Sequence, residues 1–260
     1  MERRVEAGAW FAAAGGLAVM APLAFVGVGV ITGVQADGSG VDAGVAETLG
    51  AASTSFGWAI LALLGVAVLD VVVACGLWMV FRAERPGAAA LAAAFRIAYA
   101  AVFVGAIAML ADARRIAEGS GGASPAGAGV RDAAVLARLD GFDSAWNAGL
   151  VLFGMHLVVI GWLLLRRSGA FATVVGLLVL VAGAGYLADS VLWVLAPDGL
   201  VVAQFTFIGE IVLIAWLVVG GIRSIRAGRA GVDHPAAPAR ALTADEARPE
   251  PSTMAEGARR

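Results

Sequence analysis

The sequence has little of the chemistry that soluble proteins carry on their surfaces and use in many active sites. It has no lysine, one cysteine (Cys75) and two histidines among 260 residues, and only 15% of its residues are charged. An average soluble domain is about 25% charged. One cysteine excludes an intrachain disulfide, and Cys75 lies in an apolar run, where we expect a buried and unreactive thiol. The few basic residues exclude a broad surface for nucleic-acid phosphates.

Long apolar runs take the place of that polar chemistry. Sixty per cent of the residues are hydrophobic and the mean hydropathy is +0.87. A spanning helix needs about 20 mostly apolar residues, and six segments qualify: 9–34, 56–81, 88–111, 146–165, 170–196 and 201–222. The first run is too long for the apolar region of a signal peptide, which is about 7–15 residues, so we predict that it is retained as a span. The predicted fold is an all-α polytopic membrane domain over residues 1–226 with six transmembrane helices.

Arginines mark alternate ends of these predicted spans. They precede the first span, fill the second and fourth loops and follow the last span, at Arg3, Arg4, Arg82, Arg85, Arg166, Arg167, Arg223, Arg226 and Arg229. Loop 35–55 has three acids and no base. The positive-inside rule therefore predicts that both termini are cytoplasmic. Tryptophans near the span ends, Trp146 among them, are expected to anchor those ends at the membrane interface.

Two segments are predicted to lie outside the membrane. The third loop, 112–145, has a Gly/Ala/Ser/Pro-rich middle that we expect to be flexible. After it, Val135, Leu136 and Leu139 share a helical face, which predicts a short interfacial helix resting on headgroups, with a lid over an outward cavity as the alternative. Residues 227–260 are polar and proline-rich, and we predict a disordered cytoplasmic tail.

The candidate site residues are ionisable side chains well inside the predicted spans. A charge near the bilayer centre costs about 2.5–3.5 kcal/mol on insertion scales, so such residues indicate a site or a buried pair. Tyr186 is added because it shares a helical face with Asp189. The candidates for a ligand or proton site are Asp70, Arg96, His156, Tyr186, Asp189 and Glu210. No nucleophile elbow, phosphate-binding loop, dinucleotide fingerprint or His-x-x-x-His spacing is present, so no catalytic residue, cofactor or metal is predicted.

The candidates are expected to interact in pairs. Asp70 and Arg96 lie at similar depths on spans joined by a short loop, which predicts an ion pair between antiparallel neighbours. The alternatives are that this pair only sets helix register, or that Arg96 extends to the cytoplasmic surface. Asp189 and Glu210 also lie at similar depths, so both would not ionise readily, and they could relay protons, bind a cation or simply hydrogen-bond to neighbours. His156 would join a relay or be a satisfied core histidine.

The short stretches around these residues resemble those of one protein family. In chain order they are Leu69-Asp70, Phe95-Arg96, Phe153-Gly154-Met155-His156, Gly185-Tyr186-Leu187-Ala188-Asp189-Ser190 and Phe207-Ile208-Gly209-Glu210. Through them, residues 12–223 resemble the bacterial integral membrane proteins grouped as domain of unknown function 4386. The resemblance implies six helices in a bacterial cytoplasmic (inner) membrane and no established activity.

Three functions fit these features. The favoured one is a small carrier or ligand-binding membrane protein for a small molecule or a proton, because several buried ionisable groups exceed what one structural pair requires. It predicts that the acids and His156 converge on one solvent-reachable space. The second is a non-catalytic membrane sensor or assembly protein. The third, less favoured, is an intramembrane enzyme that acts on a lipid or quinone and needs a base, nucleophile or metal within mutual reach.

Overall fold

The computed structural model describes residues 2–38, 44–119, 127–196 and 207–230. These residues form seven α-helices and no strand: α1 (Glu2–Gly38), α2 (Val45–Ala51), α3 (Ser53–Phe81), α4 (Pro86–Ala117), α5 (Ala128–Leu165), α6 (Ala170–Leu195) and α7 (Phe207–Ala230). Within this part of the chain, all but α2 are long and apolar enough to cross a membrane. The prediction of an all-α protein with six spans is confirmed, and the chain is a multi-pass membrane protein.

The six long helices close into a ring, in the order α1, α3, α4, α5, α6, α7 and back to α1. Glycines allow neighbouring backbones to approach closely. A Cβ on Gly183 of α6 would lie 2.8 Å from the carbonyl oxygen of Gly154 on α5, and a Cβ on Gly161 of α5 would lie 2.8 Å from that of Gly176 on α6. Lipid provides no hydrophobic force between helices, so close packing of this kind is a main source of their association.

Short loops join the helices at one end of the ring, which we call the arginine end. Gly169 precedes α6 with a φ of +111°, a conformation that a residue with a Cβ adopts only with strain. Pro86 occupies the first turn of α4, where a backbone N–H has no helical partner to lose. The guanidinium of Arg82 lies over the ring of Trp78, and those of Arg85 and Arg166 lie over Trp162, each within 5.0–5.2 Å.

The opposite end of the ring carries a helical cap made of α2 and the adjoining ends of α1, α4 and α5. The Asp132 carboxylate on α5 accepts a hydrogen bond of 2.9 Å from the backbone N–H of Ala46. It thereby caps α2, whose N-cap residue, Gly44, has no side chain for this purpose. The Gln35 side chain on α1 donates to Asp143 on α5 at 3.3 Å. These bonds tie three helices together outside the apolar part of the ring.

An ionic cluster closes the α3–α4 side of this cap. The hydroxyl of Ser53 bonds to the Glu118 carboxylate, and Arg114 donates to both, at 2.8 Å and 3.0 Å respectively. The Ser53 hydrogen bond is the largest cause of a lowered pKa at Glu118, and the Arg114 charge adds to it. The cluster therefore favours an ionised Glu118 just beyond the end of α4.

The start of α5 corrects the predicted third loop. We expected a loop over 112–145 with a separate interfacial helix, but α4 continues to Ala117 and α5 is one helix of 38 residues. Val135 and Leu139 are 0% and 1% exposed, so they pack on protein rather than on headgroups. Polar residues on the other faces of α5 lower the mean hydropathy of this segment, so a search for apolar runs does not detect it as part of a long helix.

Other boundaries also differ from the prediction. Loop 35–55 contains α2, and α7 continues to Ala230, so the first residues of the predicted tail are helical. The rest of that tail, the turn at 197–200 and residues 120–126 of the third loop lie outside the described residues. Cys75 is exposed on the outside of the ring instead of buried, because it falls on the face of α3 opposite its helix contacts.

Candidate functional site

Arg96 lies at the middle of the ring with its guanidinium surrounded by protein. Its Nη2 atom is 2.7 Å from Oδ1 of Asp70, and both side chains are buried, at 0% and 1% exposure. Nη2 also lies 3.7 Å from the sulfur of Met20, and the guanidinium carbon lies 5.2 Å from the centroid of the Phe153 ring. The predicted ion pair is therefore present. Arg96 does not extend to the membrane surface, so that alternative is wrong.

His156 is the second polar partner of Arg96. Its Nε2 lies 3.2 Å from Nη1 of Arg96, and its Nδ1 lies 2.9 Å from the carbonyl oxygen of Ala92. A guanidinium only donates and a carbonyl only accepts. The pattern therefore assigns the imidazole as the neutral tautomer with its proton on Nδ1, accepting at Nε2. His156 thus orients Arg96 as a neutral acceptor, as the reading of a satisfied core histidine predicted.

Phe153 connects this polar pair to the other side of the ring. Its ring contacts that of Tyr99 at 5.0 Å and meets that of Tyr186 edge-on at 5.2 Å between centroids. The Tyr186 hydroxyl donates to Oε1 of Glu210 at 3.3 Å. Glu210 lies within electrostatic range of both Arg96 and Asp70. A continuous set of contacts therefore runs from α1 and α3 through α4 and α5 to α6 and α7.

We call this set the Arg96 centre and define it by seven residues, which include at least one from each of the six long helices. They are Met20, Asp70, Arg96, Phe153, His156, Tyr186 and Glu210. Five of the six candidates named from the sequence belong to it. Asp189 is half-buried on α6, one turn beyond Tyr186. Its predicted pairing with Glu210 stays a prediction, since the hydrogen bond described for Glu210 comes from Tyr186.

The three most polar residues of the centre are shielded from solvent. Asp70, Arg96 and His156 are all at most 1% exposed, so in this conformation these three do not line a solvent-reachable space as we expected. Both carboxylate oxygens of Asp70 and Nε of Arg96 lack a properly oriented hydrogen bond among the described residues, although Oδ1 is in ionic contact. The guanidinium and carboxylate thus keep unused hydrogen-bonding capacity. The described residues hold no cluster of three or more His, Cys, Asp or Glu that could bind a metal.

Two members of the centre were not predicted as site residues. Met20 and Phe153 are apolar residues within apolar runs, so no local contrast distinguishes them. Trp146 was predicted to be an interface anchor, but it packs on Phe103 and donates to the Tyr99 hydroxyl at 3.1 Å. Its position at the membrane interface stays a prediction, and these contacts show that the ring also packs on protein. The stretch Phe153-Gly154-Met155-His156 was the one sequence signal that included Phe153.

Comparison with known proteins places this architecture in a family. Residues 9–221 match the family model described as Domain of unknown function (DUF4386). The chain belongs to this family. The match covers every member of the Arg96 centre, and it confirms the resemblance drawn from the short stretches around these residues.

A curated relative of this family member is an uncharacterized protein of Archaeoglobus fulgidus. The two are 27% identical over 164 residues, which is 63% of this chain and 84% of the relative. The relative is archaeal, so similarity does not by itself indicate a bacterial source. No solved structure matches this DUF4386 protein.

Proposed function

We propose that the protein is a small carrier or ligand-binding membrane protein and that the Arg96 centre is its site. The observation that carries the proposal is that all six spans contribute a side chain to one polar centre inside the ring. Two facing charges are enough to set the register of one helix pair. Because six helices contribute to this centre, movement of any one of them would change its contacts. The centre also contains a second acid, Glu210.

The chemistry of Arg96 points to a proton or a small acid as the ligand. A guanidinium can hold a carboxylate or phosphate through two parallel hydrogen bonds, whereas Asp70 makes one close contact with it. A proton added to Asp70 would cancel its negative charge and free the guanidinium for another acid. That acid would be Glu210 or an acidic group of a ligand.

Proton movement is the direct test of this proposal. The full-length protein would be reconstituted into liposomes that contain a pH-sensitive dye, and a potassium gradient with valinomycin would drive proton entry. We expect faster acidification than in protein-free liposomes, and a loss of most of that increase with Glu210→Gln, which keeps the hydrogen bond from Tyr186 but cannot ionise. Asp189→Asn is measured in parallel because its residue lies one turn from Tyr186.

The matched control is Glu47→Gln, which removes an exposed acid from α2, outside the six long helices. Each variant is first checked for helix content and for a single size-exclusion peak. Proton entry that is unaffected by Glu210→Gln and Asp189→Asn would count against a proton-carrying centre. A small-acid carrier would instead show acidification only when an acidic solute is added to one side.

The closed state of the centre favours one second function. Asp70, Arg96 and His156 contact one another away from solvent, as expected if they only specify the bundle of a non-catalytic sensor or assembly protein. Such a protein would act through its helical cap or its C-terminal segment. Deletion of residues 231–260 that abolishes a cellular phenotype, while Glu210→Gln has no effect on it, would favour this second function.

We also propose that the protein lies in a bacterial inner membrane with both termini in the cytoplasm. The support is the set of arginines stacked on tryptophans at the arginine end together with the positive-inside rule. The test uses a Cys75→Ser background with a single new cysteine at Ser168 or at Ser53. An impermeant maleimide added to intact cells should label the protein substituted at Ser53 and should not label the one substituted at Ser168.

A further inference from the structure

The arginine end of the ring contains a cavity of about 550 Å³ between α1, α3, α6 and α7. This volume falls within the range of about 300–1,000 Å³ that is typical of small-molecule sites. Its lining includes Trp10, Trp216, Arg167, Arg223, Ser168 and Ser224. No member of the Arg96 centre is among its lining residues, so the cavity is a separate feature of the fold.

Arg167 is held rigidly at the wall of this cavity. Its guanidinium carbon lies 4.7–5.4 Å from the ring centroids of Phe81, Trp216 and Trp10. Nη2 lies 2.7 Å from the Glu84 carboxylate and donates to the carbonyl of Val80 at 2.9 Å, and Nε also donates to Glu84. Burial lowers the pKa of Arg167 and Glu84 opposes that shift, and arginine remains charged at neutral pH.

The rest of the lining adds positive charge and hydrogen-bond donors. Arg223 of α7, Ser168 and Ser224 also line the cavity. Helix α6 begins at Ala170, directly after Gly169 of the lining. The first backbone N–H groups of a helix have no intrahelical partner, and its dipole is positive there. Two guanidiniums and a helix N-terminus thus outweigh the one lining carboxylate, Glu84.

We propose that this cavity binds a phosphate group at the membrane surface. Arginine forks, hydroxyls and helix N-termini are the donors that proteins use for phosphate, and basic pockets between membrane helices bind anionic headgroups. The same group can come from an anionic lipid or from a soluble phosphate ester. The indole rings of Trp10 and Trp216 and the neighbouring Phe171 give the cavity an apolar wall suited to a lipid's glycerol and upper acyl chain.

The test measures lipid binding by the full-length protein with native mass spectrometry in an uncharged detergent. We expect phosphatidylglycerol to bind more tightly than zwitterionic phosphatidylcholine. A basic residue near an anionic surface is worth about fivefold in affinity, so Arg223→Gln should weaken phosphatidylglycerol binding about fivefold. The matched control is Arg82→Gln, which removes an arginine from the same end of the ring but outside the cavity.

Arg167→Gln is the second variant, and it should weaken binding at least as much if it stays folded. Soluble glycerol phosphate is added in a separate arm, with thermal stabilisation of lipid-free protein as the readout. If glycerol phosphate stabilises the protein and competes with phosphatidylglycerol, the bound phosphate group comes from a soluble ester. If glycerol phosphate does not stabilise the protein while phosphatidylglycerol binds tightly, the phosphate group comes from a lipid. The proposal is overturned if neither probe binds, or if Arg223→Gln and Arg82→Gln weaken lipid binding equally, since the attraction would then be diffuse. A failure of the proton assay leaves this result unaffected.

Discussion

Removing either member of the buried ion pair should destabilise the protein by several kcal/mol. Asp70 and Arg96 are 1% and 0% exposed and lie 2.7 Å apart. When one charge is removed, the other stays unpaired in a low-dielectric interior, for which a loss of about 3–5 kcal/mol is usual. Asp70→Asn keeps the size of the side chain and Arg96→Met keeps its apolar stem. The loss in each variant is therefore mainly electrostatic.

The double variant should lose less stability than the sum of the two single losses, because neither charge then lies unpaired. Two unit charges about 4 Å apart attract by about 4 kcal/mol at an effective dielectric constant of 20. We expect a coupling free energy of about 3 kcal/mol between Asp70→Asn and Arg96→Met. Hydrogen bonds between membrane helices reach only about 1.7 kcal/mol in such cycles. A coupling free energy of about 3 kcal/mol would therefore distinguish an ion pair from an ordinary polar contact.

The measurement is equilibrium unfolding in mixed micelles, in which the fraction of dodecyl sulfate is raised while helix content and tryptophan fluorescence are followed. The matched control cycle uses Asp112→Asn and Arg115→Met, an ion pair on α4 whose side chains are 38% and 65% exposed. Exposed pairs contribute about 0–1 kcal/mol, so we expect little coupling there. The reasoning is refuted if the buried pair couples no more strongly than this control.

Three further outcomes follow from the same geometry. Gly183→Leu should destabilise the α5–α6 contact by about 1–3 kcal/mol, because its Cβ would lie 2.8 Å from the backbone of Gly154. Gly105 faces open space, so Gly105→Leu should not destabilise the protein. Thermal unfolding measures both variants. Phe153→Leu should lower stability by about 1–2 kcal/mol in the same assay, since it removes ring contacts with a guanidinium and two tyrosines. The pKa of Glu118 is lower in the folded protein than its ordinary value of 4.5. Ionised Glu118 therefore stabilises the fold above pH 4.5, and this contribution is lost as the pH falls through the pKa of the folded state. Acidification below pH 4.5 should therefore lower the melting temperature of the native protein more than that of Glu118→Gln.

The ion pair at the centre could be predicted because charge contrasts sharply with an apolar run. Asp70 and Arg96 each interrupt a long hydrophobic segment, and the rise per residue of a helix converts their positions into similar depths. The short arginine loop between α3 and α4 makes those helices neighbours. Depth and adjacency together leave few other partners for either charge.

The remainder of the centre depends on which faces of distant helices meet. The approach of His156 to Arg96 requires α5 to pack on α4, and the long connection between these helices does not restrict their packing. Met20 carries no signal and Phe153 carries none besides the family-like stretch 153–156, since an apolar residue that faces the centre resembles one that faces lipid. The first half of α5 was predicted as a loop with a short interfacial helix, because hydropathy detects apolar spans and does not show that a partly polar helix packs on protein and continues into the next span.

The balance of charge at the centre is the feature on which a site and a scaffold would differ. A structural pair needs one cation and one anion, and Arg96 with Asp70 already meets that need, since His156 is held as a neutral acceptor. The centre also contains a second acid, Glu210, which accepts a hydrogen bond from Tyr186. If both acids were ionised the centre would carry a net negative charge, which hydrocarbon surroundings make costly. One proton held on either acid would remove that charge in a scaffold as well as in a carrier, so proton movement that depends on Glu210 is the observation that separates the two functions.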